Sequence, residues 1–480
     1  MPLIWSLLSY APAVIGPRLL ALAQITLLTR LIPAGEVGRF VLVMTIGDAI
    51  DLFCSNWVRI ALARFGSGQP EKIPQETTRS LVFYAATLLV AAPAAIAAAW
   101  LLRPEEFWVF LGCVASYTLA NGLARIAITV LALRGLRRQF LAVELLRASA
   151  VFATVIGLAF SPTQSWIWLT LAANAATFAA AAIGAVFALR GNGLVWPRWA
   201  GTGAILHYSL PLIGGAGLTT LLNSADRILL DRLRGPADLA LYAAAIVLAR
   251  QPLEFLFAIV NVRAFPEMME AYERGGPAQG ASKLSDLFCA MLLVALPSAA
   301  GLALVAGPLA SLLLPPAYVE TARIIIPLGA LAGLLAGLKF FVFDQAFHMA
   351  KAGWQSALTT VPPVALGLAL VAWGAQSIGP AGVAAAVAVQ FALALAISII
   401  FTHRLLPFVW PWAELGKIAA MTGLMAFGVT GALALLAAHG PLAQLSGAVA
   451  AGVVAYAAGG MWLRPAPVRE VLAYARPARG

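Results

Sequence analysis

The sequence predicts an all-α polytopic membrane protein of about 14 transmembrane helices, arranged as two parallel-repeat six-helix lobes plus two C-terminal helices. Three observations predict it. Of 480 residues, 62% are apolar and only 11% charged, where a soluble globular chain carries about 25% charged residues. Apolar runs of about 20 residues, the length that crosses a hydrocarbon core about 30 Å thick, follow one another along the chain. The chain also repeats itself at an offset of about 200 residues.

The elements follow in order. Spans fall near 5–29, 38–63, 80–101, 107–132, 140–160 and 165–189, and again near 204–229, 239–264, 284–307, 321–346, 355–375 and 381–402. A last pair lies near 415–437 and 441–463. The corresponding organisation is an N-terminal lobe over 1–200, a C-terminal lobe over 201–408, the final two helices over 409–464 and a tail over 465–480. Tryptophans such as Trp100, Trp108, Trp166, Trp354 and Trp462 cluster near span ends, where amphipathic rings prefer the headgroup layer. The loops after even spans and the tail hold 17 basic residues against 6 in the loops after odd spans, which places both termini in the cytoplasm.

The repeat includes polar and proline positions. Tyr10-Ala11-Pro12 meets Tyr208-Ser209-Leu210-Pro211, and Asn56-Trp57-Val58-Arg59 meets Val260-Asn261-Val262-Arg263. Six spans separate the copies, so they share one orientation, the pattern of parallel repeats with a substrate site at their interface. Pro12 and Pro17 interrupt span one; Pro211, Gly214, Gly215 and Gly217 interrupt span seven. Gly329, Gly333 and Gly337 on span ten form a small-xxx-small packing face.

Composition excludes a soluble enzyme, a secreted disulfide scaffold, a disordered regulator and a nucleic-acid binder. The excess of 31 Lys+Arg over 20 Asp+Glu therefore reads as cytoplasmic loops plus interior charge. Cys54, Cys113 and Cys289 are too few and too scattered for a disulfide framework or a zinc site. The only Gly-Lys pair, Gly416-Lys417, continues with Ile, so no phosphate-binding loop is present. His207, His348, His403 and His439 are scattered, and His348 beside Asp344 reads as a local hydrogen bond. No catalytic residue, metal site or cofactor signature emerges. The chain reads as a transporter and not as an enzyme.

Charges inside spans carry the functional information, because one at the bilayer centre costs at least about 2.5–3.5 kcal/mol. Eight basic residues fall there: Arg18, Arg59, Arg125, Arg147, Arg227, Arg250, Arg263 and Lys339. Arg18 sits eleven residues from the outer end of span one, roughly 16 Å deep at 1.5 Å per residue. Arg250 lies at a similar depth on span eight, one turn before Glu254, with which it could pair. On span two Asp48 and Arg59 return to one face, with Asp51 near that stripe. Arg59 and Arg263 lie near the cytoplasmic end, where they could snorkel, and Arg263 falls on the face opposite Arg250. Arg125, Arg147, Arg227 and Lys339 are partners for nearby carboxylates or secondary groove residues. An arginine-rich cavity suits phosphate, which a guanidinium grips through two parallel hydrogen bonds. Arg18, Arg59, Arg250 and Arg263 are thus the candidate substrate-binding residues. Asp48, Asp51 and Glu254 are candidate coupling carboxylates.

The chain resembles bacterial polysaccharide flippases of the Wzx type, within the multidrug/oligosaccharidyl-lipid/polysaccharide exporter superfamily. The likeness is carried by Thr29-Arg30-Leu31-Ile32-Pro33-Ala34-Gly35-Glu36-Val37-Gly38-Arg39-Phe40, its counterpart from Ser224 through Ala244, and Gly307-Pro308-Leu309 through Tyr318. The resemblance implies two six-helix lobes, a central cavity lined by spans one, two, seven and eight, and alternating access. It implies undecaprenyl-pyrophosphate-linked oligosaccharide as substrate, flipped from the cytoplasmic to the periplasmic leaflet of the bacterial inner membrane. The partners it implies are membrane lipid, that polyprenyl-linked glycan, and the polymerase and glycosyltransferases of the same pathway; no nucleic acid is among them. Span one carries Arg18 and no acidic residue, which departs from an antiporter that couples a cation there. A lipid II flippase and a cation-coupled drug antiporter are the rival readings.

Overall fold

Inside lipid every backbone N–H and C=O must find its partner within its own segment, so apolar length dictates helix. The computed structural model describes residues 2–67, 70–103, 105–190, 193–196, 199 and 202–469, and among these it contains helices and no strand. Eleven segments among the described residues are long and apolar enough to cross a membrane. Helices α1 (Pro2–Leu31), α2 (Ala34–Gly66) and α7 (Thr202–Arg234), of 30, 33 and 33 residues, add three more of crossing length. The chain is a multi-pass membrane protein.

The remaining helices are α3 (Ile73–Leu102), α4 (Phe107–Leu133), α5 (Arg137–Ala159), α6 (Trp166–Leu189) and the long α8 (Pro236–Leu304). They are followed by α9 (Ala306–Leu313), α10 (Pro316–Leu338), α11 (Gln345–Met349), α12 (Gly353–Ser377), α13 (Pro380–Leu405), α14 (Trp412–Leu435) and α15 (Pro441–Leu463). Proline opens α10, α13 and α15 in the first turn, where its missing N–H costs nothing. Helix α8 carries two spans and bends at Gly276, whose φ of 69° is open to glycine. The sequence places a connection there; the structure keeps helix on both sides of one residue. Helix α3 starts at Ile73 and not near 80, because Pro74 suits a first turn and Glu76 pairs with Arg79 at 3.0 Å. Arg79, expected in a loop, is therefore buried in the helix.

The chain divides into two compact units, Met1–Ala240 and Leu241–Gly480. In the first, α4 packs on α2 and α6, α5 joins α6 to α1, and α7 lies on α2. Tyr84 is buried at the centre of this packing and donates to the Thr118 carbonyl at 2.6 Å. Gly122 makes room for it: a Cβ there would strike the Tyr84 hydroxyl. A clasp of charged groups joins helix ends. Glu36 accepts from the Trp166 amide at 2.7 Å, Arg39 reaches Glu36 at 3.2 Å and Glu106 at 3.7 Å, and Arg103 pairs with Asp231.

In the second unit α10 packs on α13, α12 on α13, and α14 on α15. Gly329, Gly333 and Gly337 form the packing face that their spacing predicts. Side chains there would meet Ile246 and Ala249, then Leu253 and Arg250, then the Phe257 ring, all on α8. After α10 the helix widens into a π-turn over Lys339–Phe343, a local irregularity that often marks function. Lys339, only 1% exposed, pairs with Asp344 at 2.6 Å, and Ser398 donates to the other Asp344 oxygen at 2.7 Å. His348 rests edge-on against Phe265 and not on Asp344, because Lys339 and Ser398 occupy that carboxylate. Cys54, Cys113 and Cys289 are unpaired and buried.

Candidate functional site

Each charge held within a span needs a partner, so the partners define the site. In the first unit the polar stripe of α2 presents Asp48 and Asp51 to Arg125 of α4. One guanidinium serves both: Nη2 lies 3.0 Å from Asp48 Oδ1 and Nε lies 2.9 Å from Asp51 Oδ2. Asp51 is fully buried, while the Asp48 side chain is 49% exposed. Tyr117, two turns before Arg125 on α4, donates to Asp48 Oδ1 at 3.3 Å. Gly47, next to Asp48, has no side chain to hit the Tyr117 ring that lies on it.

The two candidate carboxylates on α2 are thus gathered onto one cation, and Arg59 is not part of the group. Arg59 is half-buried, one helical turn after Asn56, and donates to the Asn56 Oδ1 at 3.1 Å. Among the described residues Arg59 belongs to no ion pair. Arg18 is half-buried on α1. Arg147 of α5 pairs with Glu144 at 2.9 Å. Arg125 is central here, whereas the sequence marks it only as a loosely held partner. Its signal is the surplus of two carboxylates on one helix face, which demands a cation from a neighbouring span.

In the second unit Arg250 of α8 is 8% exposed and reaches Glu254, one turn on, at 3.3 Å. Its guanidinium carbon lies 5.3 Å from the centre of the Phe391 ring on α13, a cation–π contact that favours a desolvated charge. Gly333 lies beside this side chain: a Cβ there would press on Leu253 at 3.1 Å and sit in ordinary contact with Arg250 Cγ at 3.5 Å. The Glu254 side chain remains 51% exposed. Arg263 lies on α8, and its side chain falls outside the described residues. The described residues include no group of three His, Cys, Asp or Glu able to hold a metal ion. Each unit therefore supplies at least one arginine within a membrane helix: Arg18 and Arg59 in the first, Arg250 in the second.

A family model described as "Polysaccharide biosynthesis protein" matches residues 27–323. No curated protein matches the sequence. Among solved structures, the inward closed conformation of the lipid II flippase MurJ shares 12% identity, with TM-score 0.73 over 95% of this chain and 98% of that one. An inward-facing multidrug resistance MATE family transporter of the MOP superfamily shares 15% identity, with TM-score 0.59 over 81% and 94%. A MOP superfamily transporter from Pyrococcus furiosus, described as having a binding pocket of reverse polarity, shares 13% identity, with TM-score 0.59 over 83% and 94%. These likenesses show that the chain has the fold of MurJ and the MATE transporters.

Proposed function

The chain belongs to the polysaccharide biosynthesis protein family, and from that premise we propose that it flips an undecaprenyl-pyrophosphate-linked oligosaccharide between membrane leaflets. The movement runs from the cytoplasmic to the periplasmic leaflet of a bacterial inner membrane, by alternating access, and supplies cell-surface polysaccharide synthesis. Both termini lie in the cytoplasm, on the side favoured by the basic loops.

One observation carries the reading: Arg59 holds a guanidinium within a membrane helix with the neutral Asn56 as hydrogen-bond partner and no ion pair among the described residues. Near the cytoplasmic end of its span, such a charge is open to water or to a mobile anion. A planar guanidinium binds phosphate oxygens through two parallel hydrogen bonds, and pyrophosphate presents such oxygens. Arg18 in the first unit, and Arg250 and Arg263 in the second, offer the same chemistry. The polyprenyl tail stays in lipid, so only the charged and hydroxylated part must be carried.

A lipid II flippase uses the same pyrophosphate carrier, and the fold shared with MurJ supports that second reading. The family description favours the first. A drug antiporter needs a carboxylate open to a cationic substrate, but Asp48 and Asp51 are both engaged by Arg125, and Glu254 is engaged by Arg250. The test is flipping of fluorescent undecaprenyl-pyrophosphate oligosaccharide in proteoliposomes, beside fluorescent lipid II and a cationic dye. Faster movement of the oligosaccharide lipid than of the other two supports the proposal. Preference for lipid II selects the second reading, and movement of the dye alone overturns both.

A further inference from the structure

Within the first unit a cavity of about 150 Å³ opens among α1, α2, α4, α5 and α6. At about 30 Å³ per water it has room for roughly five waters, the scale of a single sugar ring. Its walls mix donors and acceptors. Asn174 of α6 spends both amide hydrogens on the Cys113 carbonyl at 3.2 Å and Ser116 Oγ at 2.8 Å, which leaves its Oδ1 as an acceptor. Asn121 of α4 donates to the Tyr117 carbonyl at 3.1 Å and likewise keeps its Oδ1. Arg147 has one Nη on Glu144 and further N–H groups to give. Gln24 of α1 lines the cavity, and its amide makes no hydrogen bond among the described residues. The rings of Phe40 and Tyr117 complete the wall.

This lining discriminates among ligands. An inorganic anion wants donors alone, and a metal ion wants acceptors alone. An acyl or prenyl chain would strand every amide. A pyranose presents hydroxyls that both donate and accept around its edge, and an apolar C–H face for an aromatic ring. Intramembrane polar groups are costly to keep and usually serve a function, and a few placed polar groups in an otherwise apolar pocket are the usual recipe for orienting a small ligand. Gln24 lies six residues beyond Arg18 on α1, about 9 Å further along the axis at 1.5 Å per residue.

We infer that this cavity is a carbohydrate subsite, in which Gln24, Asn121, Asn174 and Arg147 bind one pyranose ring of the cargo while arginines hold its pyrophosphate. The inference rests on the flippase reading above. Gln24 is the informative position, since its side chain supports no other part of the described fold.

The experiment measures binding to the full chain in nanodiscs of four lipids: bare undecaprenyl pyrophosphate, and the same lipid bearing one glucose, one galactose or one N-acetylglucosamine. Wild type should bind at least one sugar-bearing lipid about tenfold more tightly than the bare lipid, the effect of one or two hydrogen bonds. Gln24→Leu should erase that preference and leave bare-lipid affinity unchanged, which also reports that the variant is folded. Gln24→Phe, which fills the cavity, should do the same. If wild type binds all four lipids equally, or if both variants keep the preference, the cavity holds water only and the subsite is overturned while pyrophosphate capture stands. If no pyrophosphate lipid binds at all, the flippase reading and the subsite fall together.

Discussion

Arg125 Nε lies 2.9 Å from Oδ2 of the fully buried Asp51, across the contact between α4 and α2. The same guanidinium also holds Asp48, so removing it strands two carboxylates at once. Breaking a buried ion pair from one side costs about 3–5 kcal/mol, mostly from the charge left unpaired. Arg125→Ala should therefore lower the thermal unfolding temperature of the purified protein sharply, and Arg125→Gln with Asp51→Asn should recover most of the loss. A double variant no more stable than the single one would show that the pair contributes little.

Lys339 sets a stricter case, because it is 1% exposed where the Arg125 side chain is 27% exposed. Lys339→Met leaves Asp344 with Ser398 alone. The single variant should lose about 3–5 kcal/mol in denaturant unfolding, and adding Asp344→Leu should bring stability close to wild type. Equal losses in the single and double variants would contradict this.

Arg59→Ala should leave folding unaffected and weaken capture of undecaprenyl pyrophosphate. A hydrogen bond to a charged group contributes about 1.5–3 kcal/mol, so affinity should fall roughly tenfold to a hundredfold. Arg59→Lys should restore only part, since an ammonium cannot match the bidentate geometry. Titration of the bare lipid against each variant decides it; unchanged affinity in Arg59→Ala would remove Arg59 from the path.

Gly337→Val tests the helix pairing in the second unit. Any Cβ at Gly337 would collide with the Phe257 ring, and overpacking of this kind costs about 1–3 kcal/mol. The variant should melt earlier than wild type, and adding Phe257→Ala should reverse much of the effect. Unaltered melting of the single variant would mean that α8 and α10 are not in close contact there.

The spans were legible because length and apolarity alone decide helix in lipid. Their boundaries were less so. Arg79 looks like a loop residue until Glu76 is seen to close the first turns of α3 around it. The glycines of α10 were readable as a packing face by spacing, but their partners on α8 were not, since contact between helices is a property of the fold. The site shows the same limit. Asp48 and Asp51 share a face by periodicity, yet periodicity does not say that Arg125 reaches both. The pairing of Arg103 with Asp231, which are 128 residues apart, has no local signature at all. Gln24 and Asn174 carry no signal in the sequence, because a neutral amide in an apolar run has the look of an ordinary packing residue.

Three buried, unpaired cysteines give the chain a practical property. Water-borne thiol reagents have little to react with in the native protein, so the wild type is its own blank for site-directed labelling. A single cysteine placed beside a turn, such as Gly353→Cys or Gly440→Cys, becomes the one reactive handle on the molecule. Labelling it from one side of a sealed vesicle maps which face of the bilayer each turn meets, and a dye at the same handle reports motion during a transport cycle.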